Sequence, residues 1–218
     1  MKNNKDIKPF YIYADNNSLY IKNINEQTEK LSNNIYSYSA NIDDNKNIHI
    51  CGLDTKGKLT HFFNNNGYWK KRVVHKVFSS VNNVKDMRLY LINNFLNIFI
   101  VEKYPMSDNL YKVSHFNFNP SDYRISKYTI NNIYKENESV YKLNIDELSN
   151  IVFEYKKSNV INRNLSENTI IFNSISRKWI NPNPLSRGSK VNLVETDTHT
   201  SNIKDDIFEY CYSIEYKI

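Results

Sequence analysis

Three glutamates carry the first chemical suggestion in this sequence. Glu102, Glu154 and Glu209 each lie near the end of a short apolar run, and a tyrosine follows each within two positions: Tyr104, Tyr155 and Tyr210. Two carboxylates facing each other across a sugar ring are the apparatus of glycoside hydrolysis, one of them kept protonated by an apolar pocket. Tyrosine faces beside carboxylates serve sugar binding equally well. Measured from the start of each run, however, the glutamates stand five, four and three positions in. A shift of one residue in an extended strand turns the side chain to the opposite face, so the three do not converge by spacing alone. Solvated strand ends therefore outweigh a catalytic ring. The six residues stand as candidate ligand-binding positions, with no catalytic residue and no metal ligand assigned.

The other reactive residues are readable as structure. The five histidines, His49, His61, His75, His115 and His199, form neither an HExxH pair nor a Cys/His knuckle. His61 and His115 precede Phe62 and Phe116 at matching places, which fits a repeated structural role better than catalysis. Only four glycines are present, and no Gly-x-Ser-x-Gly elbow, phosphate loop or dinucleotide fingerprint exists, so nucleotide-dependent chemistry and cofactors are not expected. Cys51 and Cys211 are too few for a disulfide framework and sit in apolar runs, as buried thiols in a reducing compartment do.

What positions these residues is a repeat. Asn47-Ile-His-Ile-Cys, Asn97-Ile-Phe-Ile-Val-Glu, Asn150-Ile-Val-Phe-Glu-Tyr and Asp206-Ile-Phe-Glu-Tyr-Cys are four versions of one pattern, with starts 50, 53 and 56 positions apart. Phe10-Tyr-Ile-Tyr-Ala-Asp15 has similar content. After Asn47 come the turn Asp54–Gly57, then Leu59–Phe63, then Asn64–Gly67, then Tyr68–Val74. The next unit runs from Asn97 through Leu110–Phe118 to Tyr123–Ile130, and the third from Asn150 through Ile170–Phe172 to Arg177–Ile180. One further strand precedes each start: Ile35–Ala40, Met87–Ile92 and Val140–Ile145. Asn144–Asn150 reads as a helical turn or a hairpin turn; elsewhere Tyr, Ile, Phe and Val at short alternating intervals leave no room for helices. The chain contains 36 asparagines, as an AT-rich genome encodes, and Asn tolerates positive φ better than other non-glycine residues. Asn-rich punctuation therefore stands for turns.

Four short strands per unit, repeated, is the pattern of a β-propeller blade. The motif Asn-Ile-His-Ile, turn, Leu-x-His-Phe, turn, Gly-x-Trp resembles bacterial propeller repeats, with sialidase-like and tachylectin-like blades comparable over residues 9 to 218. The resemblance implies an all-β propeller of four or five blades, with units at about 9–33, 34–74, 85–130, 139–181 and 190–218. It places Trp69, Tyr123 and Trp179 between blades, and would set Glu102, Glu154 and Glu209 near one mouth of the channel. Terminal strands at Lys190–Thr196 and Ile207–Tyr216 would either close a blade with Phe10–Ile21 or belong to a piece of a longer chain that pairs with a partner.

Function follows at class level. A non-enzymatic binding or assembly module, with a protein or glycan ligand at one face, is the expected reading. A propeller glycosidase is the enzymatic alternative, and single-stranded nucleic-acid binding through Arg124-Ile-Ser-Lys-Tyr128 is another. The net charge of +6 permits anionic partners, but its densest cluster, Lys70, Lys71, Arg72 and Lys76, falls where edge-protecting lysines belong. No run approaches a membrane helix, and the opening residues lack a secretory apolar segment, so a cytoplasmic setting is expected.

Overall fold

In the run Phe10-Tyr-Ile-Tyr-Ala-Asp15, alternate residues face opposite ways, and this two-faced habit builds the molecule. The computed structural model describes residues 10–23, 25–65, 68–135, 139–158 and 164–181, with backbone alone at 65, 201–202 and 210–211. Among the described residues the fold is all-β and antiparallel, with no helix. The chain divides into two compact units, Met1–Asn82 with Asp86–Leu89 and His199–Ile218, and Asn83–Lys85 with Tyr90–Thr198.

The first unit holds two sheets. Strands β1 (Phe10–Asp15), β2 (Ser18–Asn23) and β3 (Thr28–Ser32) form a meander. Strands β4 (Ile35–Ile42), β5 (Ile48–Asp54), β6 (Lys58–Asn65) and β7 (Tyr68–Lys76) form a second. Ile12, Leu19, Ile21 and Leu31 from one sheet join Ile35, Tyr38, Ile50 and Phe62 from the other in a single apolar core. Trp69 packs against it.

The second unit is built around one sheet. Its strands are β8 (Val84–Ile92), whose residues 86–89 count with the first unit, β9 (Phe95–Lys103), β10 (Leu110–Phe118) and β11 (Ser126–Tyr134). They continue with β12 (Lys142–Ile145), β13 (Ile151–Ser158), β14 (Leu165–Asn173) and β15 (Lys178–Ile180). Two four-stranded meanders are thereby fused, because β13 receives β12 along Ile151–Glu154 and β11 along Lys156–Lys157. Separate blades would have no pairing between β11 and β13. Phe99, Val113, Ile133, Ile151, Phe153 and Phe172 form the core, with Trp179 packed on it. Two short strands complete the set: β16 (Ser201–Asn202) on β4 and β17 (Tyr210–Cys211) on β1.

Asparagine does take glycine's place in the turns. Asn16–Asn17 and Asn93–Asn94 lie at positive φ in two-residue hairpins, the backbone form that a type I′ turn requires. Longer turns share a second device. Asp43 Oδ1 accepts from the Asn47 N–H at 2.7 Å and its Oδ2 from the Asn47 side chain at 2.9 Å, with Lys46 at positive φ. Asp146 and Asn150 repeat this at 2.7 and 3.0 Å, with Ser149 at positive φ. Residues 146–150 are thus a hairpin turn and not a helix.

The phase of the repeat differs from the sequence reading in two places. Asn97 does not open its strand: the two-residue Asn93–Asn94 hairpin starts β9 earlier, and Asn97 lies buried within it. Tyr123 does not open β11 but sits in the preceding turn at positive φ, stacked on Phe118, and the strand begins at Ser126. The expected strand at 190–196 lies outside the described residues, and the Ser201–Asn202 strand was not anticipated.

Candidate functional site

The candidate glutamates have different surroundings. Glu102, on β9, is 6% exposed and engaged by Lys112 Nζ at 3.2 Å and by the Ser114 hydroxyl at 3.5 Å. Lys112 is its cross-strand neighbour, so the pair is a strand-face charge match. Tyr104 donates its hydroxyl hydrogen to Asn131 at 3.2 Å. Glu154 and Tyr155, on β13, line one cleft of about 660 Å³, which Glu102 and Tyr104 do not border. Glu209 and the side chain of Tyr210 lie outside the described residues.

The cleft arises from a mismatch of strand lengths. β12 has four residues and β13 eight, so β12 covers the first half of that edge and the last two residues of β11 pair with Lys156 and Lys157 in the second. Directly opposed residues share a face in an antiparallel sheet. The registers Lys142↔Glu154↔Thr169 and Tyr134↔Lys156↔Glu167 therefore lie side by side on one face. Lys142, Glu154, Lys156 and Glu167 alternate in sign and sum to zero. Tyr134, Ser139, Val140, Tyr141, Tyr155, Asn168 and Thr169 complete the lining. Burial raises the Tyr155 hydroxyl above the ordinary tyrosine range, so it stays protonated and able to donate. Glu154 stands beside a cationic strand neighbour, where a general acid would need apolar enclosure. The arrangement suits holding a neutral polar molecule better than proton transfer. Sequence reasoning found Glu154 and Tyr155 but missed Lys142, Lys156, Glu167 and Tyr134. Their only signal was the alternation Glu154-x-Lys156 and Glu167-x-Thr169, and cross-strand register was needed to join it.

Three histidines, His49, His61 and His115, support the scaffold. At one register position, His49 stands two residues before Cys51, which pairs with His61; at the equivalent one, Asn97 stands two before Phe99, which pairs with His115. The indole N–H of Trp179 donates to His115 Nδ1 at 3.2 Å, which fixes the proton on Nε2, and Nε2–H donates to Asn97 Oδ1 at 3.0 Å. The Asn117 amide joins Asn97 Oδ1 at 2.8 Å, and Arg177 Nε donates to Asn117 Oδ1 at 2.9 Å. Arg177 lies over the Phe95 ring at 4.5 Å. This chain ties β15 and its turn to β9 and β10. In the first unit His49 Nε2–H donates to Asp43 at 3.3 Å and His49 Nδ1 accepts from His61 Nε2–H at 2.9 Å. Burial pushes both His61 and His115 down to about 3, the charge of His49 adding to the effect at His61. Burial lowers His49 as well, against the pull of Asp43. Burial also holds the Cys51 thiol far above its ordinary range, so it is inert. Among the described residues no three His, Cys, Asp or Glu side chains gather as metal ligands, and no helix is long and apolar enough to cross a membrane.

No family model matches the chain, and no curated protein matches it.

Proposed function

We propose that the chain is a β-propeller-type binding module that takes a neutral, polyhydroxylated ligand, a glycan, in the cleft beside β13, without transforming it. The charge-balanced lining of that cleft carries the reading. Two lysines and two glutamates in alternation offer a sugar planar acceptors and ammonium donors, while the field of each is cancelled for an anionic or cationic competitor. Tyr134 and Tyr155 add ring surface. The propeller part rests on meanders of four strands at β4–β7, β8–β11 and β12–β15 and on β17 lying against β1, which supports a blade built from both ends of the sequence. The β11–β13 junction departs from separate blades.

A glycan array followed by calorimetry tests it. A bound glycan whose Kd rises roughly tenfold to a hundredfold in Glu154→Gln and in Tyr155→Ala, about 1.4 to 2.8 kcal/mol, is the expected result. No glycan bound, or binding indifferent to both substitutions, overturns it. Glycoside hydrolysis abolished by Glu154→Gln would replace it with the enzymatic reading.

A further inference from the structure

Strand β7 presents a different surface. It ends the five-stranded sheet, so its outer backbone edge has no strand partner among the described residues. Residues 68–76 carry Lys70, Lys71, Arg72 and Lys76 and no carboxylate, a local charge of +4 within a chain of net +6. Lys58, opposite Lys76, adds another cation. Among the described residues Lys70, Lys71 and Lys76 form no ion pair. Tyr68 is 77% and Val73 60% exposed at the two flanks of the basic run.

We propose that β7 is a docking edge for an acidic peptide in extended conformation, taken up by strand addition. An edge strand offers alternating N–H and C=O groups, and only another polypeptide backbone supplies the complementary series. Charge decides which polypeptide. A second copy of β7 would set like charges opposite one another across the new ladder, which is unfavourable at every pair. A strand bearing Asp or Glu opposite Lys70, Lys71 and Arg72 meets attraction on both faces, because Lys71 points the opposite way from Lys70 and Arg72. Val73 and Tyr68 then receive apolar residues at either end of the acidic run. Single-stranded nucleic acid would match the charge, but it needs a row of exposed rings to stack its bases. Trp69 is committed to the core, which leaves Tyr68 as the one aromatic of this strand open to stack.

The test uses the full chain and a short fluorescein-labelled peptide of alternating Glu and Val, with its Gln-for-Glu counterpart and an oligothymidylate of equal charge as comparisons. Anisotropy should show binding of the acidic peptide, at least about tenfold weaker for the Gln peptide and for the Lys70→Glu/Lys71→Glu variant. Both positions are exposed, so circular dichroism should find the variant folded. Hydrogen exchange should show the peptide protecting amides in residues 68–76, a readout that requires no variant. Absence of binding, binding without that protection, or tighter binding of the oligothymidylate overturns the proposal. So does concentration-dependent self-association that protects the same amides. Glu154→Gln should leave peptide binding unchanged, so this result and the glycan result are separable.

Discussion

Acid should destabilise this protein well above the pH at which carboxylates normally titrate, and two buried imidazoles are the cause. His61 and His115 are held near 3 in the folded chain, against an ordinary value of 6.5. The unfolded chain therefore takes up protons first as pH falls, and the stability these groups contribute is complete above about pH 6.5 and lost progressively toward pH 3. At pH 5 linkage gives a loss of about 2 kcal/mol for each histidine, so about 4 kcal/mol for the pair. The shift at His49 acts in the same direction. For His115 burial is the cause, and the geometry adds to it, since an added proton on Nδ1 would face the Trp179 N–H that now donates there. Urea unfolding followed by tryptophan fluorescence at pH 7.5, 6 and 5 measures the slope. His61→Gln and His115→Gln should each lower stability at pH 7.5 by about 1 to 3 kcal/mol through imperfect replacement of buried hydrogen bonds. Each should also remove about half of the acid loss. A parent whose stability is flat between pH 7.5 and 5, or a double variant with undiminished acid loss, would refute the assignment of the loss to these rings.

Three other outcomes are expected. Gly57→Ala should destabilise by roughly 3 kcal/mol or more, read as a fall in Tm, because Gly57 has φ of 76° and an added Cβ would lie 2.1 Å from the Phe78 carbonyl oxygen. Asp146→Ala and Asp43→Ala should each cost about 1 to 2 kcal/mol by urea midpoint, and the effects should add, since each turn loses its own carboxylate-accepted bonds. Trp179→Phe should keep the packing against Phe99 and Phe172 but leave His115 Nδ1 without its donor, for a loss of about 1 to 3 kcal/mol. The same variant should raise the titration point of His115 part of the way, visible as an imidazole shift by NMR, because the indole N–H no longer opposes a proton on Nδ1 while burial still does.

Much of the scaffold was legible because the strands announce themselves by local pattern. Leu110–Phe118 and Phe10–Asp15 are read to the residue, and the asparagines at positive φ, Asn16, Asn17, Asn93 and Asn94, do what the composition required of them. The errors came where turn length set the phase. A two-residue hairpin moved Asn97 into its strand, and an Asn119-led turn pulled Tyr123 out of the next one. The cleft was legible only as Glu154 and Tyr155. Lys142 and Glu167 join Glu154 and Lys156 through registers between strands far apart in sequence, and the shortness of β12, which opens the cleft, has no sequence mark. The three-glutamate pattern was weaker than it looked, since a cross-strand lysine satisfies Glu102 where it stands.

The shared edge of β13 has a consequence for how such a chain could arise and be rebuilt. A repeat protein grows by copying a unit whose borders can be cut without exposing hydrogen-bonding groups. Between β7 and β8 a cut severs no strand ladder, since those strands belong to different sheets. Between β11 and β12 a cut costs more: excising β12–β15 would uncover Tyr134 and its neighbour Ile133, and transplanting them alone would bare Lys156 and Lys157 of β13. The last two meanders therefore form one inheritable module of eight strands. Shuffling should therefore be better tolerated when β8–β15 move together than when the chain is cut between β11 and β12.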